Sequence, residues 1–384
     1  MTASTPPQAE RRLRRRYRQE RRFKALSLGA ITLSVLFILL FFADIIQRGY
    51  QAFYQAEIRA EVTYGTDGVP VERELSPLLS RGWLRMMFRH VEENPELEGK
   101  TVTRWVTADS KVGQYLKGKH SGLSEAEENV VDELEEAGRA RLAFNKNFFT
   151  RGDSKMPEMA GIQSAVVGSL FTLAVTMAIA FPIGVMSAIY LEEFAPDNRF
   201  TRFIEVNINN LAAVPSILYG LLGLAIFINF LGVPRSSALA GGLTLALMTL
   251  PIIIISTRAA LRAVPDSVRE AAFGVGASRL QMVLHHVLPL SLPGILTGSI
   301  IGMAQAMGET APLLLVGMMA FIPDAPDGIT DSATVLPAQI FTWTSMPQRA
   351  FDEITAAGIL VLLAVLLTLN ATAVLLRRRY ERRW

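Results

Sequence analysis

The chain has 384 residues, of which 50% are hydrophobic, and its mean hydropathy is +0.30; with several apolar runs of bilayer length, this excludes an ordinary soluble globule. It contains no cysteine, so disulfides and thiolate metal sites are excluded. The net charge of +3 is small and sorted by position, which reports topology and not nucleic-acid binding.

Nine basic residues crowd into Arg11–Lys24, making residues 1–25 a basic cytoplasmic arm. The apolar run Leu26–Ile46 follows, 21 residues, or roughly 31 Å as a helix. It exceeds a signal-peptide core and lacks a small-x-small cleavage site, so residues 26–47 are expected to be an uncleaved first transmembrane helix. Residues 48–158 form a polar extracytoplasmic insert. In it Ser124 and Glu127 make a capping box that opens a helix reaching about Arg141, acids first and arginines last, as the helix dipole favours. Nothing else assigns the insert a fold or a role.

Five further apolar segments lie in residues 159–376: about Gly161–Leu191, Val206–Leu231, Ala238–Ile255, Leu292–Phe321 and Ile354–Leu376. The first and fourth exceed one span and are expected to tilt, kink or extend into interfacial helices. Six spans put both termini in the cytoplasm. Arg199, Arg202, the Arg258–Arg279 group and the tail Arg377–Arg383 (in the basic segment 377–384) then lie inside, and the short outer loops carry only Arg235 and Arg349. That agrees with the positive-inside rule. The fold class is therefore an all-α polytopic membrane protein with an insert of mixed or unknown fold after the first helix.

The cytoplasmic loop 258–289 contains EAAFGVGASRLQMVLHHVLP, residues 270–289. Val268, Ala271, Ala272 and Val275 share the helical spacing, Gly276 suits a left-handed cap, and Ser278 with Gln281 makes a capping box. Leu280, Val283, Leu284 and Val287 continue a second helix, which Pro289 is expected to end. A helix–glycine–helix elbow with a small-residue face is shaped to seat in a partner's groove.

No GxxxxGK[ST], HExxH or GxSxG pattern occurs, so no catalytic residues are assigned. His90 and His120 lie in the insert. The adjacent pair His285-His286 points about 100° apart on a helix and makes a poor metal site. One span carries Gln305-Ala-Met-Gly308-Glu309-Thr310-Ala-Pro312. A carboxylate there costs roughly 2.5–3.5 kcal/mol, so Glu309 is expected to face protein or a water path. Gly308 would admit close backbone approach, and Pro312 would break the helical ladder. Gln305, Gly308, Glu309, Thr310 and Pro312 are the translocation-path candidates.

Glu270, Ala271, Ala272, Gly276, Leu288 and Pro289 match the EAA loop of the membrane subunits of ABC importers, which this stretch resembles; His286 stands where that pattern has an apolar residue. GETAPLL at 308–314, Ala188-Ile-Tyr-Leu-Glu-Glu-Phe194 and Val214-Pro-Ser-Ile-Leu-Tyr-Gly-Leu-Leu-Gly223 narrow the resemblance to the PstA family of phosphate-importer permeases, over about residues 160–376. The resemblance implies the type I importer permease fold in a bacterial inner membrane, and a non-enzymatic transporter subunit. It implies partners: a homologous second permease (PstC-like), two ATPase subunits (PstB-like) holding ATP and Mg²⁺, a phosphate-binding protein (PstS-like) outside, and the lipid bilayer. No cofactor is expected in this chain.

Within that resemblance Glu270, Ala271, Ala272, Gly276, Leu288 and Pro289 couple the permease to the ATPase. Many relatives carry Arg at the position of Gln305, so that cationic phosphate contact is absent. Glu309 repels phosphate and is expected to pair with a partner arginine or to be protonated. Two alternatives remain open: a permease for another oxyanion such as sulfate or molybdate, and a membrane sensor whose insert recognises a ligand.

Overall fold

The computed structural model describes residues 7–64 and 73–380. The ends of the basic arm and tail, residues 1–6 and 381–384, lie outside the described residues, as do insert residues 65–72 and the side chains of 87–90, His90 among them.

α1 (Pro7–Gly49) runs the basic arm and the first span together as one helix, about 64 Å long at 1.5 Å per residue. As far as Ile45, which is buried, its apolar stretch is uncovered by the other described residues on every face, the pattern of a helix surrounded by lipid or a partner. It touches the chain near its end, where Gly49 lies against Ala356, Ala357 and Leu360.

The insert is α/β. β1 (Tyr54–Thr63), β2 (Thr101–Thr107) and β3 (Ala140–Phe144) form an antiparallel sheet in the order β2-β1-β3. Ala56, Ile58, Ala60 and Val62 alternate inward along β1, a period-two signal that went unread in the sequence. They pack with Leu78, Leu79 and Trp83 and with residues of α2 (Arg81–Glu93), α3 (Ser110–Leu116) and α4 (Glu125–Glu136). The Ser124–Glu127 capping box is present. The helix it opens is shorter than expected: it stops at Glu136, Gly138 turns at φ +65°, and Arg139 and Arg141 belong to the turn and to β3.

α5 (Lys146–Thr150) precedes the membrane region, in which α6 (Gln163–Ile189) and α9 (Ala238–Arg262) pair most closely. A Cβ on Gly242 would fall 2.6 Å from Val175, and one on Gly184 2.7 Å from Ile253; small residues let the two backbones meet where lipid provides no hydrophobic drive. Thr176 Oγ1 donates to the Gly242 carbonyl at 3.2 Å. α12 (Leu288–Gly308) lies against α9, and α15 (Ala350–Tyr380) against α12 and α1.

Two expected spans are corrected. Val206–Leu231 is not one straight helix: α7 (Arg199–Ala212) and the helix from Ser216 to Phe230, which begins with α8 (Ser216–Leu222), are bent by 106°. Pro215 removes a donor and pushes Val214 out of helical geometry, and Tyr219 Oη donates to the Leu211 carbonyl at 2.7 Å across the bend. Leu292–Phe321 stops at Gly308, where Glu309 is extended at φ −76°, ψ 127°. The described residues thus hold five helices fit to cross a bilayer, and six spans if the bent pair counts as one. The insert and the elbow occupy opposite ends of this bundle, joined along α6.

Candidate functional site

The elbow is built on α10 (Asp266–Gly274) and α11 (Arg279–Met282). Gly276 sits at φ +84°, with Gly276 N–H bonded to the Phe273 carbonyl and Ala277 N–H to that of Ala272, the left-handed cap a glycine permits. Ser278 and Gln281 form their reciprocal cap. Pro289 does not end the second arm. A π-helical turn, Val283–Val287, leads from α11 into α12, and the helix is continuous from Arg279 to Gly308. The widened turn accommodates the proline ring and its missing N–H.

The expected faces divide. Ala272, 5% exposed, packs inward with Val264, Met282, Val283 and Val287, while Glu270, Ala271 and Gly276 face outward. Val275, past the end of α10, is 83% exposed, and Phe273, Leu280 and Leu284 are exposed beside it. Leu288 is half-buried and Pro289 exposed. Each fully buried valine of the elbow core contributes roughly 1.5–3 kcal/mol.

An ion-pair network unsuspected from sequence fastens the elbow to the bundle. Arg269 donates from Nη2 to Glu193 Oε1 at 2.8 Å and to the Leu261 carbonyl at 3.0 Å, and from Nη1 to the Val264 carbonyl at 2.8 Å. Glu193, 4% exposed, lies in the π-helical turn Tyr190–Phe194 that closes α6. The neighbouring Glu192 accepts from Arg258 and Arg262, Arg258 reaches Glu205 at 2.6 Å, and Arg279 lies over the Phe194 ring. His285 and His286 line a cleft of about 650 Å³ between the end of α9 and the start of α12.

At the other end of the continuous helix, GETAPLL folds as a break followed by α13 (Ala311–Leu315). Pro312 is buried in the first turn of α13, so it starts a helix instead of kinking one. No atom lies within 4 Å of a Cβ built on Gly308, so the expected close approach is absent there. It occurs at Gly220, whose Cβ would fall 2.7 Å from Pro312 Cα: VPSILYG and GETAPLL, remote in sequence, meet as α8 against α13. Ile301, Gln305 and Gly308 form an uncovered stripe on α12. Glu309 and Thr310 are half-buried at its end, and Glu309 makes no salt bridge among the described residues.

The insert is fastened to the last span. Glu353, buried in the first turn of α15, accepts from Lys117, Lys119 and Gln114, each at 2.7 Å. Trp343 of α14 (Leu336–Thr344) donates to Asp153 at 2.9 Å. Burial raises the Asp153 and Glu158 carboxyls above the usual range, although Trp343 and Ser80 respectively donate to them. The native state therefore holds these protons more tightly than the unfolded chain. That stabilisation is complete at low pH and is lost as pH rises through the folded values. Between neutral and mildly acidic pH, wild type should gain more thermal stability in detergent than Glu158→Gln, because only the wild type holds that proton; an identical slope in the variant would assign the dependence elsewhere.

Residues 180–384 match the family model of the binding-protein-dependent transport system inner membrane component, and residues 10–72 match a domain of unknown function. The chain is 34% identical over 226 residues to Phosphate transport system permease protein PstA 1 of Mycobacterium tuberculosis, covering 58% of this chain and 73% of that one. It is 33% identical over 216 residues to Phosphate transport system permease protein PstA of Yersinia pestis, covering 56% and 71%. The MetNI methionine ABC transporter gives 20% identity and a TM-score of 0.45 over 58% of this chain and 98% of that one.

Proposed function

Because this chain belongs to the family of binding-protein-dependent transport system inner membrane components, we propose that it is the permease subunit of an ATP-driven inorganic phosphate importer. It is a multi-pass inner-membrane protein and not an enzyme. The basic arm, the elbow and the tail share the cytoplasmic side, and the insert lies outside.

One observation carries the mechanism: a single helix, Arg279–Gly308, runs from the elbow to the break at Glu309. Two partner ATPase subunits hold ATP and Mg²⁺ and close on nucleotide binding. The elbow, docked through Glu270, Ala271, Gly276 and the exposed apolar residues around Val275, moves as a rigid body. Its second arm, α11, runs on through the π-helical turn into α12, so the displacement reaches Gln305, Gly308 and Glu309 along one unbroken helix. There the bundle has two arrangements and switches the side on which its cavity opens. The uncovered stripe on α12 faces a second, homologous permease across the path, and Glu309 pairs with a cation on that subunit. An extracytoplasmic phosphate-binding protein delivers the substrate.

Labelled-phosphate uptake by cells that rely on this chain tests the reading. Uptake should be ATP-dependent and resist excess sulfate and molybdate, and Glu309→Lys should lose it. Full competition by either anion would make the cargo another oxyanion; wild-type uptake by both Glu309→Gln and Glu309→Lys would remove Glu309 from the path.

A further inference from the structure

The edge of the insert next to α1 carries an aromatic surface that the other described residues leave exposed. Tyr54, the first residue of β1, pairs with Phe144, the last of β3. Phe144 is 55% exposed, and Tyr50, Tyr54 and Phe149 are exposed beside it. The surface continues inward as a ladder of rings. Phe144 stacks on Phe149 at 5.8 Å and Phe149 on Phe53 at 5.7 Å; Phe53 meets Phe148 edge-on at 5.8 Å, and Phe148 lies 6.4 Å from Trp343. The ladder therefore begins on an open face and ends on the tryptophan that holds Asp153.

Position and charge identify what covers the open end. Tyr50 directly follows α1, and Gly49 already lies against α15 near its start. The rings thus sit at the end of the apolar stretch of α1 and beside the start of α15, in continuity with the apolar surface of α1 that the other described residues leave bare. Residues 140–150 contain no acid and carry Arg141 and Lys146. Arg141 is paired with Glu57 and lies over Trp105, whereas Lys146 forms no salt bridge among the described residues. Rings with an apolar body, backed by a cation, match the boundary between acyl chains and phosphate headgroups.

We infer that the Tyr50–Tyr54–Phe144–Phe149 edge seats in the outer-side headgroup region of the bilayer, with Lys146 at the lipid phosphates. The insert then lies on the membrane, held at one side by lipid and at the other by Glu353 and Trp343. A change in the pitch of α14 and α15 would tilt it against that surface.

The absence of cysteine makes the test direct. Phe149→Cys, Phe144→Cys and Tyr50→Cys, each carrying a nitroxide in the assembled transporter, are reconstituted in phosphatidylcholine–phosphatidylglycerol vesicles. Glu133→Cys on the exposed face of α4 serves as the aqueous reference. Labels at the aromatic edge should collide more with oxygen than with a water-soluble nickel chelate, and the reference should do the reverse. Nickel accessibility equal to the reference at all edge sites that assemble would show a free face; protection from both reagents would show a protein partner there. Either result overturns the inference.

Discussion

Ala272→Asp should abolish ATP-coupled uptake while leaving the chain in the membrane. Ala272 is packed in the apolar core of the elbow with Met282, Val283 and Val287, and Arg269, one turn earlier on the same helix, is already taken up by Glu193 and two main-chain carbonyls. An unpartnered buried charge costs several kcal/mol, more than the few buried side chains of so small a unit can absorb. The first arm would come away from the second, and the bundle, held by separate contacts between α6 and α9, would stay inserted. Gly276→Asp separates folding of the elbow from docking. Its Cβ meets nothing within 4 Å, and a left-handed Asp costs about 1–2 kcal/mol, so the elbow stays intact while a charge appears on its outer face. Uptake, ATP hydrolysis and membrane content are measured together for both variants. Wild-type uptake by Ala272→Asp would contradict the inward placement, and wild-type coupling by Gly276→Asp would remove that face from the docking surface.

Arg269→Ala should uncouple the transporter: hydrolysis by the partner continues and uptake falls more than tenfold. Arg269 is the clasp between elbow and bundle, bonding Glu193 and two main-chain carbonyls at the end of α9. Removing it leaves Glu193 buried without its counter-ion, a loss of about 3–5 kcal/mol by the behaviour of broken buried pairs. An elbow freed from α6 still meets the ATPase but swings without carrying α6 and α9 with it. Arg269→Lys should recover only part of the uptake, because a single ammonium cannot reach the carboxylate and both carbonyls in the planar geometry of the guanidinium. Equal phosphate transported per ATP in wild type and Arg269→Ala would dismiss the clasp.

Much of the elbow was legible from its residues. The Ser278–Gln281 cap and the left-handed Gly276 are satisfied by bonds between residues at most five positions apart, so local spelling is enough to place them. Its faces were not legible. Val268, Ala271, Ala272 and Val275 share a spacing, yet only Val268 and Ala272 turn inward, because α10 ends at Gly274 and Val275 follows a different backbone path. Pro289 reads as a stop, but a π-helical turn carries the helix past it. At the break, Glu309 stands out by charge, whereas its packing context, α13 against α8, does not.

The amino-acid sequence alone determined the order of the apolar segments, the insert between the first two, the basic flanks, the caps of the elbow and the polar interruption at Glu309. Each is a matter of hydropathy over bilayer length or of hydrogen bonds between near neighbours, and both are written in consecutive residues. The sequence did not determine the bend after Ala212 or the end of the fifth apolar segment's helix at Gly308. Tertiary structure alone decided the clasp of Arg269 on Glu193, 76 positions away, and the anchoring of Glu353 by Lys117, 236 positions away. It likewise decided the meeting of VPSILYG with GETAPLL. A charged residue looks the same in a string whether water or a buried partner satisfies it; only packing brings the distant group close and removes the solvent that would otherwise take its place.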